Sequence, residues 1–335
     1  MSKPNTIDGY NEQVTRDCER VLVTLLRNLG PWKDSIFLVG GLTPRYLVPD
    51  RPPVVPPHAG TLDLDIVLDD LILETTDAYK SLEENLRKIG FDNATNRSGQ
   101  KQNWRWQITM ADGSHVILEL LADRTDQVGP RVQPLPTDGN ISALNMPYSS
   151  MVFDLHDATE VRAELLSGDG TVTEFIRYAN IVSFVCLKAF ALDGRVERKD
   201  PHDLVYCIEH GPGGWEAAAA AFRDQLTGKH EAAISQCLEI LRRRFLSDEK
   251  TEARLKDGPA MVANFELGES GTSENRILRQ RDVAAPLLPT WRHYDLSRRQ
   301  QRGNRSLPEF PTLPDNSASR VRSICRNNVA ESVCI

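Results

Sequence analysis

The usual signposts of a known chemistry are missing from this chain. It has no P-loop, no GxSxG nucleophile elbow, no HExxH zinc helix and no GxGxxG dinucleotide fingerprint, so the common nucleotide-binding and hydrolase motifs give no assignment. Its six cysteines, Cys18, Cys186, Cys207, Cys237, Cys325 and Cys334, form no CxxC pair and show no metal-like spacing with histidine. They read as reduced, mostly buried thiols. No apolar run approaches a membrane span, and the opening "MSKPNTIDGYNEQ" lacks the charged-then-apolar pattern of a signal peptide, which predicts a cytoplasmic protein with no membrane partner. An excess of positive charge is also lacking: the formal net charge is -7, against any wholesale coating of nucleic acid by a basic surface.

What is present suits one large or two medium domains. The 335 residues, 40% hydrophobic and 26% charged, can bury a substantial core. Val14, Cys18, Val21, Leu22, Leu25, Leu26 and Leu29 recur at helical spacing and predict a helix over 11–29, ending at Gly30-Pro31. "SIFLVGG" predicts a short buried strand, "RPPVVPPHAG" a loop, and "TLDLDIVL" a second strand. A helix follows over 76–90, then two strands in "WRWQITMADGSHVILELL" joined across Asp112-Gly113. Further strands are predicted at 151–155, 161–166 and 172–178. From Asn180 the pattern turns helical, with a last helix from Lys229 to about Leu246. The fold class is therefore α/β (α+β), a mixed sheet with a C-terminal helical domain: a first domain over 1–178, a helical domain over 179–257, and a Pro-, Ser- and Arg-rich tail over 258–335 expected to be largely disordered. From Arg276 to Ile335 the tail has eleven arginines, five acids and no lysine, a net of +6, compatible with contact to phosphate or with nothing specific.

The acids in the second predicted strand call for an explanation. Alternation puts Asp63 and Asp65 on one face, with Leu62, Leu64 and Ile66 on the other. Two carboxylates so close repel unless a cation lies between them, and a rigid pair of oxygen donors suits Mg²⁺ or Mn²⁺. The plain alternative is an edge strand with its acids in water. Gly40-Gly41, closing the preceding strand, would allow close backbone approach to phosphate, with a helix starting at Leu42 and Thr43 pointing its N–H groups at the anion. Glu119, between Leu118 and Leu120, adds a third strand acid for metal binding or for taking a proton from an attacking hydroxyl. In the helical half, Lys188 lies in an otherwise apolar stretch and needs a carboxylate, a phosphate or a route to water. Asp200, before Pro201, is placed to cap a helix, with Asp203 favouring the same dipole. His58, alone in the proline-rich loop, reads as solvated.

A glycine pair after a strand, then DxD on a strand, then a lone strand acid resembles the nucleotidyltransferase superfamily pattern. "LKAFALDGRVERKDPHDL" sharpens the match, because Lys188, Arg195, Lys199-Asp200 and Asp203-Leu204 resemble the K-x6-R-x3-KD-x2-DL spacing of AbiEii-type abortive-infection toxins. The likeness covers roughly 36–210. One departure is that Ala59 and Gly60 stand where many such chains carry an arginine before the threonine, here Thr61. The resemblance implies that Asp63, Asp65 and Glu119 bind metal and act in catalysis together with Lys188. It also implies that Gly40, Gly41, Leu42, Thr43, Lys188, Arg195, Lys199, Asp200 and Asp203 surround a nucleoside triphosphate. It further implies a nucleotidyltransferase of EC 2.7.7 type with an RNA or tRNA acceptor, acting as a toxin paired with a cognate antitoxin or in antiviral defence. The rival expectations are a small-molecule or protein nucleotidyltransferase and a catalytically degenerate binding module.

Overall fold

The computed structural model describes residues 3–69, 76–96, 98–123, 132–134 and 141–284. Helix α1 (Glu12–Asn28) is capped by Asn11, whose side chain accepts from the Gln13 N–H, and it buries Cys18, Val21, Leu22, Leu25 and Leu26. Strand β1 (Ile36–Val39) leads into a 3-10 turn over Gly40–Leu42 and then one helical turn, α2 (Pro44–Leu47). The helix expected from Leu42 is thus only this short turn from Pro44, because Gly40 takes a left-handed φ of 71° and bends the chain first.

Strand β2 (Asp63–Leu68), helix α3 (Thr76–Ile89) and strands β3 (Asp92–Thr95), β4 (Lys101–Thr109) and β5 (His115–Ala122) follow. Next come β6 (Val132–Pro134), β7 (Ser142–Asn145), β8 (His156–Glu164) and β9 (Thr171–Ala179). They form one mixed sheet in the order β3-β4-β5-β2-β1-β9-β8, with β7 beside β5 and β6 beside β7. Pairs β2–β5, β1–β9 and β5–β7 are parallel and the rest antiparallel. The strand expected at 151–155 is instead a 3-10 turn, Ser149–Phe153, which tucks Met151 and Val152 into the core.

The helical half comprises α4 (Ile181–Gly194), α5 (Lys199–His210), α6 (Gly214–Gln225) and α7 (Glu231–Phe245). It continues into α8 (Asp257–Leu267) and α9 (Ser273–Ala284), so residues 258–284 correct the expectation of disorder. Pro259 is the third residue of α8, where its missing N–H has no helical acceptor to lose, and Phe265, Val262 and Ala263 are fully buried. Residues 285–335, with most of the arginine-rich segment, lie outside the described residues. Among the described residues no helix is long and apolar enough to cross a membrane.

Candidate active site

Strand β2 is interior to the sheet, between β1 and β5, so its acids do not face water from an edge: Asp63 is 4% and Asp65 2% exposed. The parallel register sets Asp65 beside Glu119 on β5, and Glu119 is fully buried. Adjacent residues in register share a face, so the three acids expected from the sequence converge. Among the described residues, Asp65 Oδ1 and both Glu119 carboxylate oxygens accept no hydrogen bond. Arg105 Nε on β4 lies 3.0 Å from Glu119 Oε1, in range for charge pairing but not aligned as a hydrogen bond. Burial, then the charge of Asp63, pushes the Asp65 carboxyl up to about 7; burial, then Asp65, pushes Glu119 well above the usual range. Oxygen donors so buried and so poorly satisfied are what a hard divalent cation requires.

The glycine pair is needed first by Asp65 itself. A Cβ on Gly40 would sit 1.9 Å from Asp65 Oδ2, and one on Gly41 would sit 2.5 Å from Thr61 Oγ1. Thr61 in turn links back to Asp63, its hydroxyl donating to the Asp63 carbonyl and accepting from the Asp63 N–H, while its own N–H donates to Thr15 Oγ1 on α1. Leu42 and Thr43 are buried behind this turn, with Thr43 Oγ1 lacking a hydrogen-bond partner among the described residues.

Opposite the acids, the Lys188 to Asp203 motif forms one buried ion network. Lys188 Nζ is 3.1 Å from Asp200 Oδ1 and 2.9 Å from Asp203 Oδ2. Arg195 grips Asp200 with two bonds, 2.8 and 3.0 Å, and Lys199 donates to both oxygens of Asp203 at 2.7 and 2.6 Å. Carboxylates therefore meet the need of Lys188. Helix α5 begins at Lys199 and shows no side-chain cap, so Asp200 is not the expected N-cap: its carboxylate turns to Lys188 and Arg195 instead. Burial would raise the Asp203 carboxyl, but Lys188 and Lys199 overcome it and hold it well below the usual range.

The solvated reading of His58 is also corrected. Its Nδ1 accepts the Gly60 N–H at 3.0 Å, which puts the ring proton on Nε2, and Nε2 donates to Asp203 Oδ1 at 2.9 Å. Burial lowers its pKa to about 3 despite Asp203. His58, His202 and Asp203 bring ligand-type atoms within 4.8 Å of one another. The tautomer of His58 and the two ammonium groups on Asp203 oppose a dication there, and the group acts as a hydrogen-bonded support for the lysines.

Two further residues in the cleft carry no periodic or motif signal in the sequence. Lys3 Nζ lies 3.0 Å from Asp63 Oδ2. Tyr10 lines the cleft with its ring 5.5 Å from Lys199 Nζ and its hydroxyl without a hydrogen-bond partner among the described residues. Lys3, Tyr10, Asp63, Asp65, Lys188 and Arg195 close round about 10 Å³ of space, room for about one water. A second cleft of about 680 Å³ adjoins it across Tyr10 and is lined by Arg16, Arg45, Arg51 and Tyr206. No protein-family model matches this chain, and no curated protein matches it either.

Proposed function

We propose that the protein is a metal-dependent nucleotidyltransferase, moving a nucleoside monophosphate from an NTP to an acceptor hydroxyl. The observation that carries this reading is the set of buried oxygens on Asp65 and Glu119 that accept no hydrogen bond among the described residues, with a third buried acid, Asp63, two residues before Asp65 on β2. These three acids would hold Mg²⁺ or Mn²⁺, which when bound neutralises charge on the transferring phosphoryl group. Lys188, Arg195 and Lys199 line the cleft and would meet the triphosphate, held in position by Asp200 and Asp203. The acceptor oxygen bonds to the α-phosphorus, the bond to the β-phosphate breaks, pyrophosphate leaves, and Glu119 takes the hydroxyl proton.

The sequence resemblance supports an RNA or tRNA acceptor and a toxin or phage-defence role with an antitoxin partner. A small-molecule acceptor is the second reading, favoured by the adjoining cleft, whose 680 Å³ is of small-ligand size. Incubation with labelled NTPs, Mg²⁺ and total RNA tests both: label in RNA supports the first, label on a small molecule or protein the second. Asp65→Asn is expected to abolish transfer while leaving the fold intact. Transfer at the wild-type rate by that variant would refute the catalytic assignment.

A further inference from the structure

The cleft as it stands cannot admit a triphosphate, and two of the side chains that close it, Lys3 and Tyr10, come from the chain's own N-terminal segment. The two ends of residues 3–10 line the cleft: Lys3 reaches Asp63, and Tyr10 packs edge-on against Phe265 of α8, ring centroids 5.9 Å apart. The ammonium of Lys3 stands where a cation would sit on the acids, and its charge favours the ionised forms of Asp65 and Glu119. None of residues 3–10 is buried, and the segment's secondary structure is one 3-10 turn, Ile7–Gly9. Such a segment belongs to the low-stability end of a fold. The 680 Å³ cleft, lined by Ile7, Asp8 and Tyr10, offers space beside it.

We propose that residues 3–10 are an autoinhibitory strap whose Lys3 ammonium competes with the divalent cation for Asp63, so that metal loading and strap release are one event. This rests on the metal-binding reading given above. A strap closed nine-tenths of the time weakens apparent metal affinity by about tenfold.

Mn²⁺ titrated calorimetrically into the full chain tests it, alongside Lys3→Ala, Lys3→Arg and Asp65→Asn. Lys3→Ala is expected to bind Mn²⁺ about tenfold more tightly, and Lys3→Arg to bind as the wild type does. In amide exchange, the N–H groups of Gly9 and Tyr10, which donate to Thr6 and Ile7 carbonyls, should exchange faster when Mn²⁺ is added to the wild type. Equal Mn²⁺ affinity in wild type and Lys3→Ala, with binding lost in Asp65→Asn, overturns the strap and leaves the metal site standing. No Mn²⁺ binding by wild type or Lys3→Ala overturns both.

Discussion

Asp203 accepts from His58, Lys188 and Lys199 while wholly buried. Removing its charge leaves two ammonium groups in a desolvated site, which costs far more than a lost surface pair. Asp203→Asn is expected to destabilise the fold by about 3–5 kcal/mol in chemical denaturation. Gly40→Ala fails for a steric reason: with φ at 71° and Asp65 Oδ2 at 1.9 Å from the added carbon, either the backbone or the carboxylate must move. The expected result is a loss of about 1–3 kcal/mol of stability together with weakened Mn²⁺ binding. His58 sets a pH dependence. Its folded pKa, about 3, lies below the ordinary histidine value of 6.5, so the unfolded chain takes the proton first and stability falls as pH drops from 6.5 towards 3. The slope attributable to this group approaches about 1.4 kcal/mol per pH unit. Urea titrations of wild type and His58→Gln across that range measure it.

At the scale of elements, α8 and α9 are tied to α5 by charge as well as by packing. Arg279 on α9 donates twice to Glu209 on α5 and twice to Glu266 on α8, and Glu266 also pairs with His202. Burial would raise the Glu266 carboxyl, but His202 and Arg279 bring it down to about 2. A depressed acid contributes stability above its unfolded pKa and loses it as pH falls from about 4.5 towards 2. Glu266→Gln should flatten the acid limb of the stability profile in that window. These two helices were the least legible part of the chain, since Gly258-Pro259 reads as a break unless it falls in a first turn, and the partners of Arg279 lie 13 and 70 positions away. By contrast, β1, β2, β5 and α1 declare themselves through local periodicity, and Asp63 and Asp65 are legible as a pair because alternation fixes their face, whereas Glu119 joins them through the β2–β5 register. Apart from the motif resemblance, the sequence shows Lys188 as a cation needing a partner without saying which, since Asp200 and Asp203 reach it from another helix. Lys3, Tyr10 and His58 carry no local pattern, and only the folded chain brings Lys3 and Tyr10 to the cleft and His58 to Asp203.

For the molecule as a whole, a cation that binds only the native acids must raise global stability. Saturation at 100 times the dissociation constant is worth about 2.7 kcal/mol, so Mg²⁺ should raise the melting temperature of the wild type and leave that of Asp65→Asn unchanged in thermal scans. The pairing of Asp65 with Glu119 has a consequence for folding fidelity. Glu119 sits between Leu118 and Leu120 on β5, so sliding β5 one residue past β2 would set a leucine beside Asp65 and turn Glu119 to the opposite face. By hydrophobic content such a slipped sheet loses little, and the cross-strand partner Arg105 on β4, opposite Glu119, supplies the electrostatic distinction between the two alignments. A population of slipped molecules would look folded by circular dichroism and be inert towards metal, so the fraction of Mn²⁺-competent chains measures how well the sheet has found its alignment.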